Sequence, residues 1–176
     1  MRRLPKSSET FDEGWGDALE PELKLETTLD AHEIALRLLT RREHGSGELA
    51  HKLQQRGVSR EQAQEAIAEL AEQGWQSDAR FAEQFARDHA ARGDGPLKIR
   101  AAMQSRGVHE SAVTEAMRAL DVDWAVCAGE VRRKRFGTDL PQDAAEQARQ
   151  QRFLMTRGFA ASDARMAVRS NDLNQD

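Results

Sequence analysis

The 176 residues are enough for one compact domain or a short array of small ones, and the single cysteine, Cys127, excludes an internal disulfide. With 39% apolar and 32% charged residues the chain reads as water-soluble, and no apolar run approaches the roughly 18 residues of a membrane span. Abundant Ala, Glu, Gln and Arg with four prolines and no tyrosine favour helix over sheet, and a net charge of −4 argues against a protein that holds bare nucleic acid by charge alone.

Residues 1–29 lack a sustained period and read as a mobile acidic arm, in which Phe11, Trp15 and Leu19 stand four apart. Met1-Arg2-Arg3-Leu4-Pro5 has charge but no apolar stretch behind it, so a secretory leader is not expected and the cytosol is the expected compartment. From about Asp30, Ile34, Leu38 and Leu39 mark one helix face. Gly45-Ser46-Gly47 breaks that helix, and a second runs from about Ser46 to Arg56. Ser59 then offers an N-cap, with Gln62 as its capping-box partner, and the third helix runs to about Gln73.

The next unit opens at Ser77, with Phe81 and Phe85 on one face. Gly93-Asp94-Gly95 interrupts it, and Pro96 suits the first position of a helix that ends at Arg106-Gly107. A further helix covers roughly Glu110 to Leu120. The last unit carries Trp124, Ala128, Val131 and the run Arg132-Arg133-Lys134-Arg135, and Phe136-Gly137 ends its first helix. Thr138 to Pro141 connects to a helix that reaches Arg157, and a final helix spans about Ser162 to Arg169. Trp75 and Trp124 each precede the first helix of the next unit and are expected to wedge between units.

These elements repeat. Leu53-Gln54-Gln55-Arg56-Gly57-Val58 returns as Met103-Gln104-Ser105-Arg106-Gly107-Val108 and again as Leu154-Met155-Thr156-Arg157-Gly158-Phe159. Each copy predicts a helix that stops on a left-handed glycine, with the apolar residue after the glycine packed on the apolar residue four before it. The arginine before each glycine faces the negative end of the helix dipole. Three copies about fifty residues apart predict an all-α array of three tandem three-helix repeats. The expected divisions are 1–29 (arm), 30–76, 77–121 and 122–170 (repeats) and 171–176 (tail).

Residues 1–30 hold eight acidic and four basic residues, whereas residues 123–170 hold six and nine. Arg132, Arg133, Lys134 and Arg135, with Arg149 and Arg152, are therefore the candidate contacts for phosphates or an acidic protein surface. Lys98 and Arg100 form a looser basic set in the second repeat, together with Arg92 and Arg106. The five histidines show no metal-ligand spacing, Cys127 reads as a small apolar residue, and neither glycine loop is followed by the Gly-Lys-Ser/Thr of a nucleotide site. No catalytic constellation emerges, so no cofactor, metal or enzymatic activity is expected.

Taken together, the chain resembles the RecX family, bacterial modulators of the RecA recombinase. The matching residues are Glu48-Leu49 and Lys52-Leu53, then Ser77-Asp78-Ala79-Arg80-Phe81-Ala82, Phe85, Arg87, Gly93, Gly95, Ile99 and Arg106-Gly107-Val108. In the third repeat they are Arg133-Lys134 and Phe153-Leu154-Met155-Thr156-Arg157-Gly158-Phe159. Ala102-Met103 and His89 depart from the family pattern, and the acidic arm lies outside it. The resemblance implies an elongated array and a regulator that binds the RecA–single-stranded DNA filament, inhibits recombinase and ATPase activity, and touches DNA; a monomer and weak DNA binding by itself are the accompanying expectations. It also implies a place in recombination, DNA repair and the SOS response. The competing reading is a helix-turn-helix DNA-binding protein, which short helices joined at glycine suit but a net charge of −4 does not.

Overall fold

The computed structural model describes residues 31–169. The acidic arm with Phe11, Trp15 and Leu19, the expected start at Asp30 and the tail 171–176 lie outside the described residues. Among those described there are nine α-helices and no strand. The first, α1, covers 31–39. It is followed by α2 (Ser46–Gln54), α3 (Arg60–Glu72), α4 (Asp78–Ala91), α5 (Pro96–Gln104), α6 (Glu110–Ala119), α7 (Trp124–Phe136), α8 (Ala144–Thr156) and α9 (Ala161–Ala167). No described helix is long and apolar enough to cross a membrane.

The helices fall into three units of three, each with its own core. The first centres on Leu49, Leu53, Ile67 and Leu70. The second centres on Phe81, Ile99, Met103 and Val113, and the third on Leu154, Phe159, Ala164 and Val168. The starts follow the local sequence. Ser59 and Gln62 form the expected capping box on α3, and Ser77 accepts a hydrogen bond from the backbone N–H of Arg80 at the start of α4.

The repeated helix stop is the Schellman arrangement in all three copies. The N–H groups of Val58, Val108 and Phe159 donate to the carbonyls of Leu53, Met103 and Leu154 at 3.2, 3.3 and 3.2 Å. Gly57, Gly107 and Gly158 have φ of +87°, +77° and +91°. Leu53 and Val58 are buried in one core, Met103 and Val108 in the next, Leu154 and Phe159 in the last.

Two of these stops also join the units. The turn at Gly107, ending α5, sits on the start of α2: a Cβ on Gly47 would lie 2.7 Å from the Gly107 Cα and 2.6 Å from the Arg106 carbonyl oxygen. The turn at Gly158, ending α8, sits on the start of α5: a Cβ on Gly95 would lie 2.3 Å from the Gly158 carbonyl carbon. There Gly95 N–H donates to the Arg157 carbonyl (2.7 Å) and Leu97 N–H to the Gly158 carbonyl (3.0 Å). The exposed carbonyls of one helix end thus satisfy the exposed N–H groups of another helix start. Accordingly, Gly95 provides no side-chain cap, and neither does Gly45 at the start of α2, whereas Asp143, at the start of α8, caps its own helix through the N–H of Glu146.

Side chains reinforce the first joint. Asp78, from the second unit, accepts hydrogen bonds from the Ser46 N–H (2.8 Å) and hydroxyl (2.9 Å) at the start of α2. Arg80 reaches back to Glu43 (2.8 Å) and to the carbonyls of Gly74 and Trp75. The Asp78–Ala82 stretch therefore latches units, with Phe81 and Ala82 entering the core. Trp124 packs on both the second and third cores, as expected of a wedge. Trp75 does not, and is 55% exposed. It follows Gly74 at a left-handed turn that directs the chain outward at the end of α3, and Gln76 takes the buried place, its side-chain amide donating to the His44 carbonyl.

Replacing the three stop glycines by alanine separates backbone strain from docking. At Gly57, where a Cβ meets nothing within 4 Å among the described residues, the cost is that of a left-handed residue, about 1–2 kcal/mol. At Gly107 and Gly158, where the Cβ meets backbone at 2.7 and 2.6 Å, the loss should be clearly larger. Denaturant unfolding of the three variants checks this order, and equal losses would mean that the joints do not need the glycines.

Candidate partner-binding surface

The basic run lies on the last turns of α7, where its charges face the negative end of the helix dipole. Asp123 caps the start of α7 by accepting from the N–H groups of Ala125 and Val126, and Gly137 ends it at φ +92°. Because a helix turns 100° per residue, four consecutive basic residues cannot share one face. Arg132 falls on the inner side and is 1% exposed. Its guanidinium donates to the Asp139 carbonyl (2.9 Å) and the Thr138 carbonyl (3.3 Å). Burial pushes its pKa down, the neighbouring Arg133 adds to this, and Asp139 opposes it. Arg132 was expected on the surface; it instead fastens the connector between α7 and α8, and it drops out of the surface set.

The other three stay outside, with Arg133 half-buried and Lys134 and Arg135 exposed. Phe136 and Phe153 meet edge to face at 5.2 Å, and the Arg135 and Arg149 guanidinium groups lie over the Phe136 ring at 5.9 and 5.2 Å. Arg149 is held to Glu146 by two hydrogen bonds of 2.7 Å, and these bonds hold the Glu146 carboxyl down at about 2. Its charge is thereby largely offset in place. Arg152 is exposed on α8.

Lys98 and Arg100 lie apart from this group, on α5. Lys98 Nζ donates to Asp94 (2.8 Å), and Arg100 stands 3.7 Å from Glu110. The three arginines before the stop glycines divide their roles. Arg56 and Arg106 fold onto carbonyls of their own helices, at Lys52 and Ala102, both at 2.7 Å. Arg157 instead crosses to the second unit. It donates to the carbonyls of Arg92 (2.8 Å) and Gly93 (3.2 Å) and stands 3.3 Å from Asp94.

Asp94 is the polar centre of that second joint. It is buried and also accepts from His89 Nδ1 and Lys98 Nζ, both at 2.8 Å. Burial alone would raise its pKa; the hydrogen bonds from Lys98 and His89 and the charges of Lys98 and Arg157 outweigh it and hold the carboxyl below its ordinary value.

Beside this joint, the end of α4 and the outer side of α7 enclose a cleft of about 260 Å³. Val131 and Phe153 form its apolar wall, and Arg92, Lys134, Arg135 and Arg157 bring four positive charges to it against one from Glu130. Sequence spacing missed this cleft. Arg92 is forty-two residues from Lys134, and only the docking of the Arg157-Gly158 turn brings them together.

Two measurements follow from these roles. Arg132→Ala, which strips the connector carbonyls of a donor, should cost roughly 1–3 kcal/mol of stability, while Lys134→Ala should stay within about 0.5 kcal/mol; similar losses in urea unfolding would deny Arg132 its internal role. For Asp94 the folded pKa is depressed, so its contribution is complete above the ordinary carboxyl value and is lost as pH falls through the folded one. Asp94→Asn should cost roughly 1.5–3 kcal/mol at neutral pH, and the gap to the native chain should narrow below about pH 4. A gap that is the same at pH 7 and pH 3 would contradict this.

The same three-unit plan is found in known proteins. Three family models match the chain: the first three-helix domain of RecX over residues 31–70, the second over 77–117 and the third over 127–168. Regulatory protein RecX of Xanthomonas campestris pv. campestris (strain B100) is 44% identical over 135 residues, which span 77% of this chain and 83% of that protein. Regulatory protein RecX of Halorhodospira halophila is 41% identical over 140 residues, 80% of this chain and 87% of that protein. Among solved structures, the crystal structure of RecX from Lactobacillus salivarius superposes with a TM-score of 0.67 at 20% identity, covering 85% of this chain and 99% of that one. A crystal structure of regulatory protein RecX superposes with a TM-score of 0.73 at 23% identity, covering 93% and 82%. With each repeat matched by its own family domain and relatives above 40% identity along most of its length, the chain belongs to the RecX family of regulatory proteins.

Proposed function

We propose that this protein binds the RecA filament on single-stranded DNA and restrains recombinase activity and ATP hydrolysis, without turnover of its own. The observation that carries the reading is the RecX three-unit array with a basic cleft where its second and third units meet. A row of units, each joined to the next by its helix ends, offers a surface long enough to touch successive subunits of a filament. Arg133, Lys134 and Arg135, with Arg152, supply positive charge towards phosphates or acidic protein surface. Lys98, Arg100 and Arg149 contribute less, since each is already beside a carboxylate. Exposed charges are worth about 0.2–1 kcal/mol each and are screened beyond about 8 Å at physiological salt, so protein contacts supply most of the specificity.

The test is a pair of titrations, on the RecA filament and on the same DNA without RecA, with ATP hydrolysis followed alongside. The native chain should slow hydrolysis at substoichiometric amounts and prefer the filament. The variant Arg133→Glu, Lys134→Glu, Arg135→Glu, with Arg132 untouched to preserve the fold, should lose at least tenfold in filament affinity at unchanged helical content. Equal affinity for filament and bare DNA would overturn the reading in favour of a DNA-binding protein. Full inhibition by the variant would move the contact surface to the first two units.

A further inference from the structure

The cleft between α4 and α7 has an apolar wall, a basic rim and no partner supplied by the described residues. Val131 and Phe153 line it, and Arg92, Lys134, Arg135 and Arg157 surround it. Arg157 is committed to Asp94 and to the carbonyls of Arg92 and Gly93. Among the described residues, no carboxylate comes within 4.0 Å of the charged ends of Arg92, Lys134 or Arg135. A fitting occupant therefore carries acids interleaved with large apolar groups.

This chain contains such a segment outside the described residues. Between Lys6 and Lys24 stand six acidic residues and no basic one: Glu9, Asp12, Glu13, Asp17, Glu20 and Glu22. Among them lie Phe11, Trp15 and Leu19, spaced by four. Charge divides the same way along the chain: residues 1–30 sum to −4 and residues 123–170 to +3. From Leu19 to Ala31 is twelve residues, a tether of up to roughly 40 Å at about 3.3–3.6 Å per residue.

We infer that the acidic segment around Asp12–Glu20 docks in the cleft between the second and third units of its own chain, with its aromatic residues against Val131 and Phe153 and its carboxylates on Arg92, Lys134 and Arg135. The docked segment covers Lys134 and Arg135, the two exposed charges at the end of α7. Its regulatory consequence, a filament-binding surface that the chain itself shields, rests on the proposed function; the docking does not.

The protein's only cysteine, Cys127, lines this cleft and reports on its occupancy. The test compares the full chain with the full-length variant Asp12→Asn, Glu13→Gln, Asp17→Asn, Glu20→Gln, which retains the apolar residues. Iodoacetamide should alkylate Cys127 at least fivefold more slowly in the native chain than in the variant at low salt, and 0.5 M sodium chloride should abolish the difference. A zero-length carbodiimide should join Lys134 to a carboxylate among residues 9–22 within the monomer band, read by mass spectrometry. Equal alkylation rates, or no such link, overturn the docking; links confined to dimers overturn it in favour of a second copy as the occupant. Neither readout contains RecA or DNA, so failure here is distinct from failure of the filament reading. If both hold, the variant should also bind the filament more tightly than the native chain.

Discussion

The structure depends on how a helix end is finished. An α-helix leaves its last carbonyls and its first N–H groups without partners inside the helix. Here the Schellman turn at Gly158 presents carbonyls that accept from Gly95 and Leu97 N–H groups at the start of α5, so one end satisfies another. The turn at Gly107 comes nearly as close to the start of α2, where Asp78 provides the acceptor for the Ser46 N–H. Both contacts need glycine on the receiving side, at Gly47 and Gly95, because backbone meets backbone there. The array follows from this device: three small cores, one per unit, joined through helix ends and, between the second and third, the shared Trp124, rather than through one continuous interior. The outer units differ: among the described residues nothing lies within 4 Å of a Cβ at Gly57, and the start of α8 is closed by its own Asp143.

The same device places charge. Arg157 sits at the end of α8 because a cation there opposes the helix dipole, and because that turn is docked, its guanidinium reaches the Arg92 and Gly93 carbonyls and Asp94 of the second unit. The α4 end is thereby held beside α7, and Arg92 joins Lys134 and Arg135 at one cleft. The two joints differ in chemistry. The first rests on Asp78 accepting from Ser46 and on Arg80 with Glu43; the second centres on a buried Asp94 shared among His89, Lys98 and Arg157. A buried carboxylate with three cationic or donor partners fixes geometry strongly, because each partner offsets part of the cost of burying its charge.

Much of the fold was legible in local chemistry. The three Arg-Gly stops, the Ser59–Gln62 capping box, the Ser77 cap and the Pro96 start are decided by residues within a few positions of one another, and each appears where local rules put it. The fifty-residue recurrence then made three units of three helices readable without any tertiary information. The placement of Trp124 between two cores was readable as well. Trp75 was not, because the left-handed turn at Gly74 and the competing burial of Gln76 decide its direction.

The sequence by itself determined the helices, their stops, the repeat and the surplus of basic residues in the last unit, because propensity, capping and spacing act over one or two turns of chain. Only the tertiary structure decided which of those charges face outward. Arg132 and Arg133 are neighbours of the same type, yet one is buried on the Thr138 and Asp139 carbonyls and the other is half-exposed, since the α7 face turned towards the connector is set by packing on α8 and α9. Likewise the glycine loops at 45–47 and 93–95 read as ordinary turns, and their use as sockets depends on residues sixty positions away. Contacts of that separation leave no periodic signature in one sequence, so the joints and the cleft beside them are properties of the folded chain alone.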